Sequence, residues 1–194
     1  MYRKVKATQH RMKKYNINEI FYSLQGEGYF TGTPAVFLRF SGCNRHCDFC
    51  DTDHGSGRSL TCEEIVDECA AYPARHIICT GGEPLLQLDT SLVTKLKERG
   101  FFIQIETNGT LPVPEGIDWV TCSPKDRPWG IDRVDELKIV YQGQDVEEIA
   151  SHFNAKHLFL QPCSGRNVAQ TIKYAMEHPH WRLSLQTHKL LDIR

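Results

Sequence analysis

Short apolar runs bounded by turn residues recur along this chain and read as β-strands. They are EIFYSL (19–24), AVFLRF (35–40), HIICT (76–80), FFIQIET (101–107), WVTCS (119–123), ELKIVY (136–141), HLFLQ (157–161) and RLSLQ (182–186). Helical patterns fall between them. TCEEIVDECAAY (61–72) opens on Thr61 with Glu64 three residues later, a capping box. EPLLQLDTSLVTKLKERG (83–100) keeps its leucines on one face and stops at Gly100. NVAQTIKYAMEHP (167–179) ends at a proline, and a shorter helix, DVEEIASHF, starts after Asp145.

Strands alternating with helices imply parallel pairing through crossovers. Two links resist helix formation: NGTLPVPEGID and PKDRPWGID carry two prolines each. The expected architecture is therefore α/β: a partial, open barrel of mostly parallel strands with few crossover helices. It occupies 1–194 as a single domain, with 1–17 as a flexible N-terminal extension. Polar tetrads follow the strands directly: TGGEP, ETNG, SPKD, QPCSG and QTHK. In parallel α/β folds the C-terminal strand ends share one face, and that face holds the chemistry. Five tetrads so placed predict one large common site.

Composition narrows the class. The chain has 194 residues, 40% hydrophobic and 24% charged, with a formal net charge of -1. That balance supports a real core and argues against gripping nucleic acid by bulk charge. The basic start, MYRKVKATQHRMKK, lacks the apolar stretch of a signal peptide, and no run is long enough to span a bilayer. A reducing cytoplasm is expected, so the eight cysteines are expected to be free. Cys62, Cys69 and Cys79 read as buried, inert thiols.

Three cysteines stand apart. SGCNRHCDFCDTDH places Cys43, Cys47 and Cys50 in a C-x3-C-x2-C spacing. Thiolates are soft ligands that suit iron–sulfur clusters and zinc. Three of them leave one iron of a 4Fe–4S cube open. Structural zinc wants four ligands, which His46 or His54 would have to complete.

This spacing after a strand, in a chain that also carries TGGEP, resembles the radical S-adenosylmethionine (SAM) superfamily. The resemblance implies that the three cysteines hold a 4Fe–4S cluster whose fourth iron binds SAM. Reduction would then cleave SAM to a radical that abstracts hydrogen from a substrate. It further implies that Phe49 packs near the adenine and that the Gly81-Gly82 pair, Gly82 above all, receives the methionine amino group.

FYSLQGEGYFTGTPAVFLRFSGCN (21–44), with CDT, SPK, QPCSG and LSLQTHKLL, is similar to the 7-carboxy-7-deazaguanine synthases of the queuosine pathway. The likeness implies ring contraction of 6-carboxy-5,6,7,8-tetrahydropterin with loss of ammonia, SAM regenerated each turnover, and assistance from Mg2+. A pterin shows a flat donor–acceptor edge, which Gln25 and Glu27 complement. Arg39 offers a planar fork for the substrate carboxylate. Leu24, Gly26, Thr80 and His188 complete the expected substrate contacts, with the carboxylate of Arg194 within reach. The likeness also implies SAM contacts from Ser123, Pro124, Lys125, Gln161, Pro162, Cys163 and Ser164, more loosely from Glu106 and Asn108. It makes Thr52 a Mg2+ ligand, with Asp51 and Asp53 flanking it. A homodimer and a flavodoxin or similar reductant are the implied partners, without nucleic acid or membrane.

Two other readings compete. A glycyl-radical activase shares the small size and the GGEP stretch, but does not require the polar pocket that SLQGEG and QTHK suggest. A zinc-stabilised tRNA-binding module belongs to another class, and the near-neutral charge counts against it.

Overall fold

The computed structural model describes residues 13–50 and 52–194. One nine-stranded sheet runs through them, in the order β3-β1-β2-β4-β5-β6-β7-β8-β9. The strands are β1 (Lys14–Leu24), β2 (Pro34–Phe40), β3 (Arg58–Thr61), β4 (His76–Gly81), β5 (Phe102–Thr107), β6 (Trp119–Cys122), β7 (Arg133–Tyr141), β8 (Asn154–Pro162) and β9 (Arg182–Leu183). β3, β1 and β2 pair antiparallel, and every pair from β2 to β9 is parallel. The helices are α1 (Cys62–Ala70), α2 (Thr90–Glu98), α3 (Val146–Ala150), α4 (Val168–Glu177) and α5 (Thr187–Leu191). No helix occupies the β5–β6 or β6–β7 link, where the paired prolines stand. This is the open, helix-poor α/β architecture that the sequence predicts.

Alternation along each strand sorts residues to two faces. Toward the helices go Ile77, Cys79, Ile103 and Ile105, which pack with Leu92, Leu96 and Ile65 of α2 and α1. Leu137, Ile139 and Leu160 do the same with Trp181. The inner face carries Thr80, Gln104, Glu106, Thr121, Glu136, Lys138 and Gln161, all buried or nearly so. Aromatic rings stopper the inner space at the N-terminal strand ends. Phe30 lies 4.8 Å from both His76 and Trp119, and Tyr29 lies 4.5 Å from His157. The polar lining therefore opens only toward the C-terminal strand ends.

Several expectations need correction. The helix predicted over 83–100 is broken: a 3-10 turn covers Pro84–Leu86, and α2 starts at Thr90. Two carboxylates cap separate starts, Glu83 taking Leu85 N–H and Asp89 taking Leu92 N–H. Lys13 and Tyr15 hold Asp89 in that role. The expected extension at 1–17 is cut short, because β1 begins at Lys14; residues 1–12 lie outside the described residues. β3, within the link after the cysteines, was not anticipated and pairs with Lys14–Ile17. The last strand keeps only Arg182–Leu183 of the expected 182–186, since the chain turns inward and starts α5 at Thr187. Of the five cysteines outside the cluster motif, Cys62, Cys69, Cys79 and Cys122 are buried, and all eight in the chain are free thiols.

Candidate active site

The cluster loop rests on the strand ends through backbone pairing that outlasts the sheet. Gly82 N–H donates to Phe40 O at 3.2 Å, and Glu83 N–H to Gly42 O at 2.9 Å. Gly82 has to be glycine for lack of space: a Cβ there would sit 2.1 Å from Gly42 O and 2.9 Å from Cys43 Cβ. Side chains extend the attachment. Asn108 Nδ2 donates to Asn44 Oδ1 at 2.9 Å, Asn44 Nδ2 to Thr110 Oγ1 at 2.8 Å, and Arg45 Nη2 to Asp126 O at 3.0 Å. Three of the predicted tetrads, TGGEP, ETNG and SPKD, thus hold the loop that bears the thiols. Glu83 anchors the arrangement from beneath, accepting from Thr107 Oγ1 at 2.9 Å and Asn108 N–H at 2.8 Å.

A cavity of about 360 Å³ opens at the C-terminal strand ends. Cys43, Cys47 and Cys50 line it together with Phe49, Thr52, Gly82, Ser123, Lys125, Gln161, Pro162 and Ser164. A side chamber of about 190 Å³ adjoins it, lined by Leu24, Gln25, Gly26, Arg39, His188 and Arg194. Glu27, Thr52, Thr80, Gly81, Glu106 and Gln186 line both spaces. The sequence-predicted residues are therefore brought together, with two exceptions. Pro124 and Cys163 line neither space, and the Cys163 N–H is spent on Asn167 Oδ1 at 2.8 Å.

The donor set in the main cavity suits an iron–sulfur cluster. Among the described residues no group of three or more His, Cys, Asp or Glu converges where a single ion would sit. A four-iron cube asks for something else: each thiolate binds a different iron, so the three sulfurs need to share one wall. Arg45 adds a second sign of fit. Its Nε is buried without a hydrogen-bond partner on a side chain that lines the same cavity, an N–H free for an anionic group. Burial pushes the Cys47 thiol up from its ordinary range, and the Lys125 ammonium partly offsets that. Lys125 Nζ also lies 5.6 Å from the centre of the Phe49 ring and donates to Ser123 Oγ at 2.7 Å. Phe49, Ser123 and Lys125 thus form one wall facing the thiols, a shape open to a nucleoside with a charged tail.

The LQGEG loop between β1 and β2 reaches across the closed end of the barrel, at the N-terminal ends of the parallel strands. Gly28 N–H donates to Ser184 Oγ at 2.9 Å and Tyr29 N–H to Glu136 Oε2 at 3.1 Å. Gly28 adopts φ 66, and a Cβ on it would lie 1.9 Å from Glu136 Oε1. Thr187 closes the far side, its N–H and hydroxyl both donating to Gly26 O at 2.9 Å. So QGEG and QTHK, far apart in the chain, form one wall. On it Glu27 accepts from Gln186 Nε2 at 2.9 Å, and its other carboxylate oxygen pairs with Lys138. Gln25 Nε2 and Thr80 Oγ1 donate to Glu106 at 3.0 and 3.1 Å.

Charge in this floor is concentrated and buried. Burial alone would push the Glu27 carboxyl up; the Lys138 charge and the hydrogen bonds from Lys138 and Gln186 outweigh it and hold Glu27 below the usual range. Burial likewise works against the Lys138 ammonium, but Glu27, Glu106 and Glu136 keep it protonated well above its ordinary range. Glu136 goes the other way, raised by burial with only partial relief from Lys138. Sequence reading missed Lys138, Glu136 and Gln186. A signal existed for two of them: Glu136 and Lys138 sit two apart in an apolar strand, so both must point to one face.

Of the remaining candidates, Thr52 Oγ1 accepts from Arg39 Nη1 at 3.4 Å at the junction of the two spaces. Asp53 Oδ1 accepts from Gly55 N–H at 3.0 Å, which ties that carboxylate into a turn, and Asp51 lies outside the described residues. Asn108 is engaged in holding the cluster loop, and Glu106 faces the chamber. The Arg194 backbone oxygen accepts from Ser23 Oγ at 2.5 Å, while its guanidinium pairs with Glu19.

Comparison with known proteins agrees with this geometry. A profile of the Radical SAM superfamily matches residues 38–127. The chain is 61% identical over 179 residues to a 7-carboxy-7-deazaguanine synthase of Bacteroides thetaiotaomicron, covering 92% of this chain and 98% of that protein. It is 44% identical over 207 residues to the enzyme of the same name from Bordetella pertussis, covering 92% and 99%. Among solved structures it resembles the crystal structure of QueE from Escherichia coli. The TM-score is 0.73 at 31% identity, over 89% of this chain and 94% of that one.

Proposed function

We infer the function from one premise: the chain belongs to the 7-carboxy-7-deazaguanine synthases of the radical SAM superfamily. It is a carbon–nitrogen lyase that contracts the ring of 6-carboxy-5,6,7,8-tetrahydropterin to 7-carboxy-7-deazaguanine, losing ammonia, within queuosine biosynthesis. The activase alternative finds no support among these relatives. One observation carries the reading at the level of residues. A chamber lined by Gln25, Glu27, Arg39, Thr80 and His188 adjoins the cavity that bears the three thiols and shares part of its wall.

A 4Fe–4S cluster and SAM, when bound, supply radical abstraction of a hydrogen atom. Cys43, Cys47 and Cys50 would hold the cluster through three thiolates, a set that would leave one iron free for SAM. Gly82 offers the close backbone approach, and Phe49, Ser123, Lys125, Gln161 and Ser164 the walls against which SAM lies. Glu27 accepts from pterin ring N–H groups, while Gln25 matches their neighbouring acceptors. Arg39 takes the substrate carboxylate with its planar fork, aided by His188. Thr52, which lines both spaces, would offer its hydroxyl to Mg2+, a hard cation that needs few protein oxygens. Excluding water from the chamber strengthens each of these contacts.

We place the protein in the cytoplasm, where its free thiols stay reduced; no helix among the described residues is long and apolar enough to cross a membrane. A second copy of the chain and a flavodoxin-type donor are the partners proposed. The test is an anaerobic product assay with reconstituted protein, reductant, Mg2+, SAM and 6-carboxytetrahydropterin. Mass detection of 7-carboxy-7-deazaguanine supports the reading. Appearance of 5'-deoxyadenosine without that product would leave the cluster chemistry standing and remove the pterin.

A further inference from the structure

Lys138 stands at the floor of the cavity, its side chain only 6% exposed, paired with Glu27 and 3.8 Å from Glu106 Oε1. The titratable groups around this pair come from every neighbouring element. Glu27 lies on the β1–β2 loop, Glu106 on β5 and Glu136 on β7 itself. Lys125 follows β6, and the charge of His188 on α5 acts on Glu27. Three carboxylates thus share one buried cation.

Among the described residues, Glu27 has no other cation in hydrogen-bond contact. Its remaining side-chain partner is the neutral amide of Gln186, at 2.9 Å. Its own N–H donates to Gln25 Oε1 at 3.1 Å, so moving Glu27 would also move Gln25. A buried carboxylate without a compensating charge takes up a proton, and a protonated carboxyl turns one acceptor into a donor. Recognition of ring N–H groups would fail at that point.

We propose that Lys138 is a positioning residue for substrate recognition, holding Glu27 in a single orientation so that it accepts hydrogen bonds from the ring N–H groups of a pterin-class substrate. Lys138 acts through Glu27 rather than on the substrate. The inference rests on the side chamber being the pterin site. It also gives the other two carboxylates distinct parts. Glu106 accepts from Gln25 and Thr80, and Glu136 from Tyr29 N–H, while among the described residues Glu27 is the carboxylate in direct hydrogen-bond contact with the lysine.

The test is a double-mutant cycle on the cluster-loaded enzyme, with Lys138→Met and Glu27→Gln alone and together. Pterin KM is measured across the pH range and SAM affinity alongside. Lys138→Met is expected to raise the neutral-pH KM for the pterin roughly tenfold or more, with SAM affinity within about twofold. Its KM should fall again as pH rises and Glu27 loses its proton, whereas the wild-type KM does not fall in this way. His188 is present in both proteins, so their difference reports the loss of Lys138. In the Glu27→Gln background, adding Lys138→Met should change KM by less than about twofold. A Lys138→Met enzyme with the wild-type KM and profile overturns the proposal, as do losses that multiply in the double variant. If the methionine variant fails to fold, Lys138→Gln is measured against the same expectations. A wild-type enzyme that makes no product from the pterin removes the functional reading and this inference with it. Product formation with an indifferent Lys138 removes the inference alone.

Discussion

Arg39 and Glu19 face each other across β1 and β2, Arg39 Nε donating to Glu19 Oε1 at 2.9 Å. The second oxygen of Glu19 takes Arg194, so one carboxylate organises two guanidiniums at the edge of the side chamber. The ring of Phe21 lies 4.8 Å below Arg194 and 5.9 Å below Arg39. Two guanidiniums therefore meet at this rim, which fits a substrate carboxylate. Arg39→Lys keeps the charge and loses the fork. It cannot bond Glu19 and Thr52 together, so the pterin KM is expected to rise about tenfold while SAM cleavage without substrate is unchanged. Steady-state kinetics with the pterin decides it; an unaltered KM would take Arg39 out of substrate binding.

Gly82→Ala tests the seating of the cluster loop. The added Cβ would lie 2.1 Å from Gly42 O, which is backbone and has nowhere to retreat without carrying Cys43 along. The expected result is a loss of iron and sulfide after reconstitution, with the sheet intact by circular dichroism. A variant that loads the cluster like the wild type would show that Gly42 yields freely.

Glu136 gives a pH-dependent stability with a definite sign. Burial raises its carboxyl pKa in the folded state from an ordinary 4.5, so the native protein binds this proton more tightly than the unfolded chain. Its stabilising contribution is complete below the ordinary value and is lost as pH rises through the raised one. Glu136→Gln removes that loss and can still accept from Tyr29 N–H. Denaturant midpoints measured from about pH 4 to about pH 8 should therefore move in favour of the variant as pH rises. A difference that stays constant over the range would contradict the assignment.

Thr52→Ala addresses the magnesium role. The hydroxyl receives only a long bond from Arg39, 3.4 Å, so its removal should cost little stability. Product formation is expected to need more Mg2+ for half-maximal rate, while SAM cleavage keeps its level. The same Mg2+ titration in both proteins would leave Thr52 as a turn residue.

The short apolar runs were enough to place eight of the nine strands, because each carries its own local pattern of alternation and bounding turns. The proline-rich links announced the missing helices in the same way. What failed was local competition. Glu83 and Asp89 each cap a turn, and the choice between one helix and two depended on Lys13 and Tyr15, at the start of β1, holding Asp89. β3 went unseen since RSLT has little hydrophobic signal of its own and exists as a strand through pairing with Lys14–Ile17.

For the site, sequence alone determined the ligand chemistry: three thiols in one short loop, a glycine pair after a strand, and the QGEG and QTHK stretches. Spacing along the chain sets those, and a thiolate is a soft ligand in any fold. Only the tertiary structure decided which charges face one another. Lys138 reads as an ordinary strand residue until β1, β5 and β7 converge and three carboxylates surround it. Glu27 and Gln186 are 159 residues apart, yet share a hydrogen bond. Such pairs are written nowhere locally, because burial and Coulomb energy depend on distances that only the closed sheet creates.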